Sequence, residues 1–193
     1  MGRIELSMEG LKRKALILSL LDRMKGEDSW CGETHVQKSV YFLQTLLGVP
    51  TGYEFIMYKH GPFSFELRDE LTAMRAYELV TVAIRPQPYG PSLHPGPLAD
   101  DLMTRFHRTI EDYRLQVQFI ARHLSSKGVA ELERLATALY VLHEGTVDIP
   151  ERLAERVNEL KPHISVEEAL EAIGAVKQLE MEATQGSLTP APL

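Results

Sequence analysis

Cysteine is almost absent: Cys31 is the only one in 193 residues. One thiol excludes an internal disulfide and any multi-thiolate zinc site, and a cytoplasmic setting is the expectation. Long apolar runs are missing too; none approaches the roughly 20 residues that a membrane-spanning helix needs. The opening MGRIELSMEGLKRK has no apolar stretch followed by a small-residue cleavage site, so no secretory leader is expected, and Leu6 breaks the myristoylation pattern.

Catalytic signatures are equally scarce. There is no Gly-x-x-x-x-Gly-Lys-Ser/Thr loop and no His-Glu-x-x-His. The seven histidines, His35, His60, His94, His107, His123, His143 and His163, are scattered, with no pair four residues apart on one helix. No metal site and no cofactor is expected. Cys31 with His35 four residues on is the one nucleophile–base pairing conceivable, and a lone loop cysteine is a weak basis for it. Positive charge is in short supply as well: the net charge is −6, with 11 Lys/Arg against 11 Asp/Glu over residues 1–96 but 5 against 12 over 128–193. A nucleic-acid binder draws its affinity from a basic face that neutralises phosphates, and none is evident. Lys12, Arg13 and Lys14 read as the solvated start of a helix.

What is present is a series of amphipathic helices with two short β-rich runs. Apolar periodicity predicts helices over 11–24 and 34–47, a strand over 53–59, a helix over 65–77 with Ser64 as its cap, and a β-branched strand over 80–84. Arg85 to Pro91 carries three prolines and cannot continue a ladder. Phe106, Ile110, Tyr113, Val117, Ile120 and Leu124 recur at 4-3-4-3-4 spacing, which predicts one helix over 98–125, or two meeting near His107. Helices over 129–143, 150–160 and 166–182 follow, with Pro150 in the first turn of the second and Ser165–Glu168 as a capping box opening the third. The fold expected is mainly α (α+β). A winged-helix-like lobe with a small antiparallel sheet occupies 1–96, an all-helical lobe 97–183, and a disordered tail 184–193.

The stretch YKHGPFSFELRDEL (58–71) joins a Gly-Pro break directly to a helix. On a helical wheel Leu67, Leu71 and Met74 face the core. The outward side carries Phe65, Asp69, Thr72, Ala73 and Ala76, with Arg68 and Arg75 along one margin and Glu66 and Glu70 along the other; Phe65, Arg68, Asp69, Thr72, Ala73 and Ala76 are the candidate contact residues. A helix that reads base edges would show Arg, Lys, Asn or Gln there. This face instead suits polypeptide, either the second lobe of the chain or a partner protein, with nucleic acid disfavoured. His60 is expected to brace the turn through a hydrogen bond.

Residues 36–80 also resemble the Panacea (SocA-like antitoxin) domains and the related YwgA-like proteins. The shared elements are a helix bearing Lys38, Tyr41 and Phe42, then a strand ending in Tyr58, His60, Gly61, Pro62 and Phe63. A leucine-rich helix closing on Leu79-Val80 completes the pattern. The resemblance implies a mostly helical, winged-helix-like fold and, for Panacea domains, a non-catalytic role in neutralising toxins by direct protein contact. The chain departs from winged-helix proteins in its proline-rich wing and in having Leu93-His-Pro-Gly96 where Leu-Thr-x-x-Gly is usual. The leading expectation is an intracellular regulatory or adaptor protein, antitoxin-like, that binds a toxin or regulatory protein. The alternative is a winged-helix DNA-binding regulator, a homodimer through 98–125. A hydrolase or nuclease would need acids or histidines gathered by the fold.

Overall fold

Residues 15–21 are apolar apart from Ser19, so the helix that contains them belongs in a protein core. In the computed structural model, which describes residues 8–27, 29, 31–84, 90–145 and 149–188, that helix is α1 (Met8–Gly26). Ala15, Leu16, Ile17, Leu18, Leu20, Leu21 and Met24 are all buried. The chain continues through α2 (Glu33–Thr45), β1 (Ile56–Tyr58), β2 (Gly61–Phe63), α3 (Phe65–Ala76), β3 (Val80–Ala83) and β4 (Ser92–Pro95). From Ala99 on, every described element is a helix: α4 (Ala99–Arg105), α5 (His107–Asp112), α6 (Arg114–Leu124), α7 (Val129–Glu144), α8 (Pro150–Leu160) and α9 (Val166–Gln185). The fold is mainly helical, mixed α/β in its first half and helical in its second, as expected.

The strands form two separate antiparallel pairs, β1 with β2 and β3 with β4. The first is a difference from the sequence reading. Gly61-Pro62-Phe63 does not merely break the preceding strand; it turns back and pairs with it, Ile56 opposite Phe63 and Tyr58 opposite Gly61. The second pair is a wing, and Gly32 makes an isolated antiparallel bridge to Ser92 at its outer edge. Helix, bridge, helix, helix, wing is the order of a winged helix, with the β1–β2 hairpin inserted before the third helix. Gly96 closes the wing. Its N–H donates to Leu79 O at 2.8 Å, and a Cβ there would stand 2.3 Å from Glu78 O, so only glycine fits.

The chain forms two compact units that interleave along the sequence. One comprises Met1–Val36 with Glu66–Ser126, the other Gln37–Phe65 with Lys127–Leu193. Residues 97–126 therefore belong with the first helix and the wing, whereas the sequence reading had placed a boundary at 96. In the first unit α1 packs against α4, α5, α6 and β4. The segment expected over 98–125 as one helix, or as two meeting near His107, is three: it is interrupted at Phe106 (φ −111°, ψ 27°), beside His107 as the second form had it, and again at Tyr113 (φ −112°, ψ 13°). The bends keep Phe106, Val117, Ile120 and Leu124 buried in this unit. A dimer through this segment would have to use Leu98 and Leu115, which are exposed, because most of the seam is spent internally.

Lys14 corrects the reading of a solvated helix start. It is buried and donates to Glu70 Oε1, while Arg13 Nε lies 2.9 Å from Glu70 Oε2. Glu70 is thus an inward-facing residue of α3, not a marginal one.

In the second unit α7, α8 and α9 pack on one another. Arg134–Glu168 joins the starts of α7 and α9, and His143 approaches Glu180 toward their ends, so these two run in the same direction. Pro150 opens α8 at its first position. Ser165 and Glu168 form the expected capping box, with bonds of 3.2 and 3.0 Å. The helix outlasts its expected end at 182, and Leu188 N donates to Ala183 O with its side chain packed. Of the tail expected to be disordered, 189–193 lie outside the described residues, as do Trp30 and 85–89 of the proline-rich turn.

Candidate partner-binding surface

The β1–β2 hairpin needs two things to stand up from a helical unit: a residue that accepts a left-handed backbone, and partners for its turn carbonyls. Gly61 supplies the first, at φ 79° immediately after the loop residues Lys59 and His60. It also lies flat on α7, where a Cβ would meet Thr137 Oγ1 at 3.0 Å and Glu133 O at 3.5 Å.

Two buried lysines supply the second. Lys38, on α2 and only 1% exposed, donates from Nζ to Pro62 O at 2.7 Å. Lys161, just past α8, donates to Tyr58 O and to Lys59 O. Gln37 adds a two-point clamp on the next residue: its Nε2 donates to Ser64 O at 2.9 Å and its Oε1 accepts from Ser64 N at 3.0 Å. A single carboxylate faces the two buried ammonium groups. Glu133, on α7 and 5% exposed, has Oε1 3.6 Å from Lys161 Nζ and 3.3 Å from His163 Nε2, and Oε2 3.4 Å from His60 Nδ1. Oε1 makes no hydrogen bond of good geometry, so it is held by charge alone. Burial pulls the Lys38 ammonium down to about 8. The Glu133 charge partly offsets that and the Lys161 charge adds to it.

The sequence-derived site residues divide into three groups. Lys38, Gly61 and Pro62 meet at the hairpin base. Tyr41 and Phe42 are core: Tyr41 packs edge-on to Phe42 and Phe55 at 6.2 and 5.0 Å, and burial, ahead of every other cause, drives its phenol well above the ordinary range. Tyr58, Phe63 and Phe65 form a triangle of rings on the outer side, with centroids 5.6, 5.3 and 5.1 Å apart. Tyr58 is 42% exposed and Phe65 38%; Ile56, on the same strand face as Tyr58, is 43% exposed. His60 makes the expected bracing hydrogen bond, between its Nδ1 and Glu133 Oε2 at 3.4 Å, though its ring stays exposed, and Lys38 and Lys161 hold the turn carbonyls beside it.

Beyond Phe65, helix α3 buries Leu67, Leu71 and Met74, as the wheel required. Arg68, Asp69, Thr72 and Ala76 are exposed and Ala73 half-buried. Arg68 turns back on its neighbour, with Nη2 2.9 Å from Asp69 Oδ1, so its charge is already matched within the helix.

Gln37, Glu133, Thr137, Lys161 and His163 were missed from sequence. Each looks like an ordinary helix or helix-end residue, and only the fold brings them to the hairpin, Gln37 across 27 residues and the others across about 70 to 105. The Cys31 nucleophile reading fails on chemistry: the thiol is buried, and burial pushes it up to about 11, with Ser29 opposing only in part. Among the described residues no group of three or more His, Cys, Asp or Glu is arranged to hold a metal ion, and no helix is long and apolar enough to cross a membrane. No protein-family model matches the chain, and no curated protein sequence matches it.

Proposed function

We propose that the protein is a non-catalytic regulatory or adaptor protein that works by gripping another polypeptide, and that the outer face of the β1–β2 hairpin together with Phe65 is where it does so. The observation that carries this reading is the contrast between the two sides of the hairpin. Its inner side is tied down by Lys38, Lys161 and Gln37, yet on its outer side Tyr58, Phe65 and Ile56 are exposed, with the half-buried Phe63 ring packed against the other two rings. Rigid, clustered aromatic side chains on a fixed backbone are the residues that concentrate binding energy at protein interfaces, because little conformational entropy is lost when they dock. An apolar patch without such a role costs solubility.

The resemblance to Panacea domains agrees with this reading and narrows it to antitoxin-like neutralisation by direct contact. The DNA-regulator alternative gains nothing from α3, whose outward charges are Glu66, Asp69, Arg75 and an Arg68 already paired. The test is Phe65→Glu in a tagged chain expressed in its source cells, with crosslinked partners identified by mass spectrometry. Capture is expected to disappear while the melting temperature stays within a few degrees. A collapse of stability, or capture unaffected by the charge, would remove the surface from consideration.

A further inference from the structure

The loop end of the hairpin differs in charge from the rest of its unit. Lys59 and His60 are exposed there, and His163 lies exposed on the opposite oxygen of Glu133. Beneath them, two buried ammonium groups, Lys38 and Lys161, stand against the single carboxylate of Glu133, leaving one buried positive charge uncompensated within the cluster. Residues 128–193 carry 5 basic against 12 acidic side chains, so this cationic spot is an island in an acidic setting. It adjoins the ring triangle: Lys59 Nζ lies 6.0 Å from the centre of the Tyr58 ring.

We propose that the segment docking on this face is an acidic, apolar stretch of a partner polypeptide. Its aliphatic or aromatic side chains lie on Tyr58, Phe63 and Phe65, and a carboxylate meets Lys59 with the two imidazoles. The inference rests on the contact reading above and adds the chemistry of the partner. A single-stranded nucleic acid also likes rings flanked by cations, but it repeats its negative charge at every nucleotide, and a segment with 5 basic against 12 acidic side chains over 128–193 offers those phosphates no continuous track. A peptide carries its acid only where it is wanted.

The experiment is selection of a random twelve-residue peptide library on the folded chain, with counter-selection on Phe65→Glu. Enriched peptides are expected to pair Asp or Glu with Leu, Phe or Trp, to bind about tenfold more weakly to Lys59→Glu, and to weaken further as salt rises. Lys59 is exposed and clamps the turn only through its backbone carbonyl, so that variant keeps its fold, which its melting curve checks. Peptides that require Phe65 but lack acids, or ignore Lys59→Glu, overturn the acidic partner and leave the contact surface standing. Displacement of the peptides by an oligothymidylate at equal concentration would move the site to nucleic acid and overturn it too. Failure to find any Phe65-dependent peptide overturns the contact reading itself.

Discussion

Replacing Lys38 by methionine isolates one charge, because the side chains are similar in length and only one of them titrates. The fall of its ammonium from 10.5 to about 8 corresponds to about 3 kcal/mol of differential cost for the charged form in the fold. A lysine depressed in this way binds its proton less readily folded than unfolded. Between pH 8 and 10.5 the unfolded chain therefore holds more protons, and stability rises with pH across that window. Below pH 8 the cost is fully present; above 10.5 it is gone. Cys31 and Tyr41, both raised, act in the opposite sense, stability falling with pH as they titrate, but they are common to both proteins and cancel in the difference. Neutral-pH stability is a poor readout. Methionine removes the buried charge but leaves Pro62 O without its donor, a loss of about 1–3 kcal/mol that nearly offsets the gain. The assay is urea unfolding of both proteins at half-unit steps from pH 7.5 to 11. The wild-type stability minus that of Lys38→Met should climb by about 3 kcal/mol. A flat difference would mean that Lys38 is solvated, and the clamp at the hairpin base would have to be abandoned.

Two further substitutions probe the packing that presents the hairpin and the first unit's core. Gly61→Ala should cost about 1–3 kcal/mol, from the left-handed backbone and the 3.0 Å approach to Thr137 Oγ1; adding Thr137→Ala should recover the steric part but not the rest, as judged by a double-mutant cycle in denaturant. Glu70→Ala leaves Lys14 buried without its carboxylate and should cost about 3–5 kcal/mol, whereas Lys14→Met with Glu70→Leu should be close to neutral by thermal melting.

Legibility followed the range of the interaction. Helices α2, α8 and α9 were readable because their signals sit within a few residues: periodic leucines and valines, Pro150 at a first turn, Ser165 and Glu168 three apart. The break of the 98–125 segment at Tyr113 was not, since a 4-3-4 seam looks the same whether the helix runs straight or bends to follow α1. The Gly-Pro turn was recognised as special, but for a local reason. Lys38 and Lys161 hold its carbonyls from 24 and about 100 residues away, and a lysine bound for burial carries no local mark. Glu70 illustrates the converse. The wheel placed it on the margin of α3, and only the arrival of Lys14 from α1 makes the inward position tolerable for a carboxylate.

The interleaving of the two units has a consequence for synthesis. Lys38 and Pro62 leave the ribosome close together, yet Glu133 follows the end of the hairpin at Phe63 by 70 residues. At elongation rates of about 5–20 residues per second that is roughly 4–14 s during which the nascent hairpin has neither its counter-ion nor the helix on which Gly61 rests. The segment 37–65 must wait, its rings bare, while the intervening helices complete the other unit. Chaperone engagement of stalled chains ending before residue 133 is the place to look for that interval.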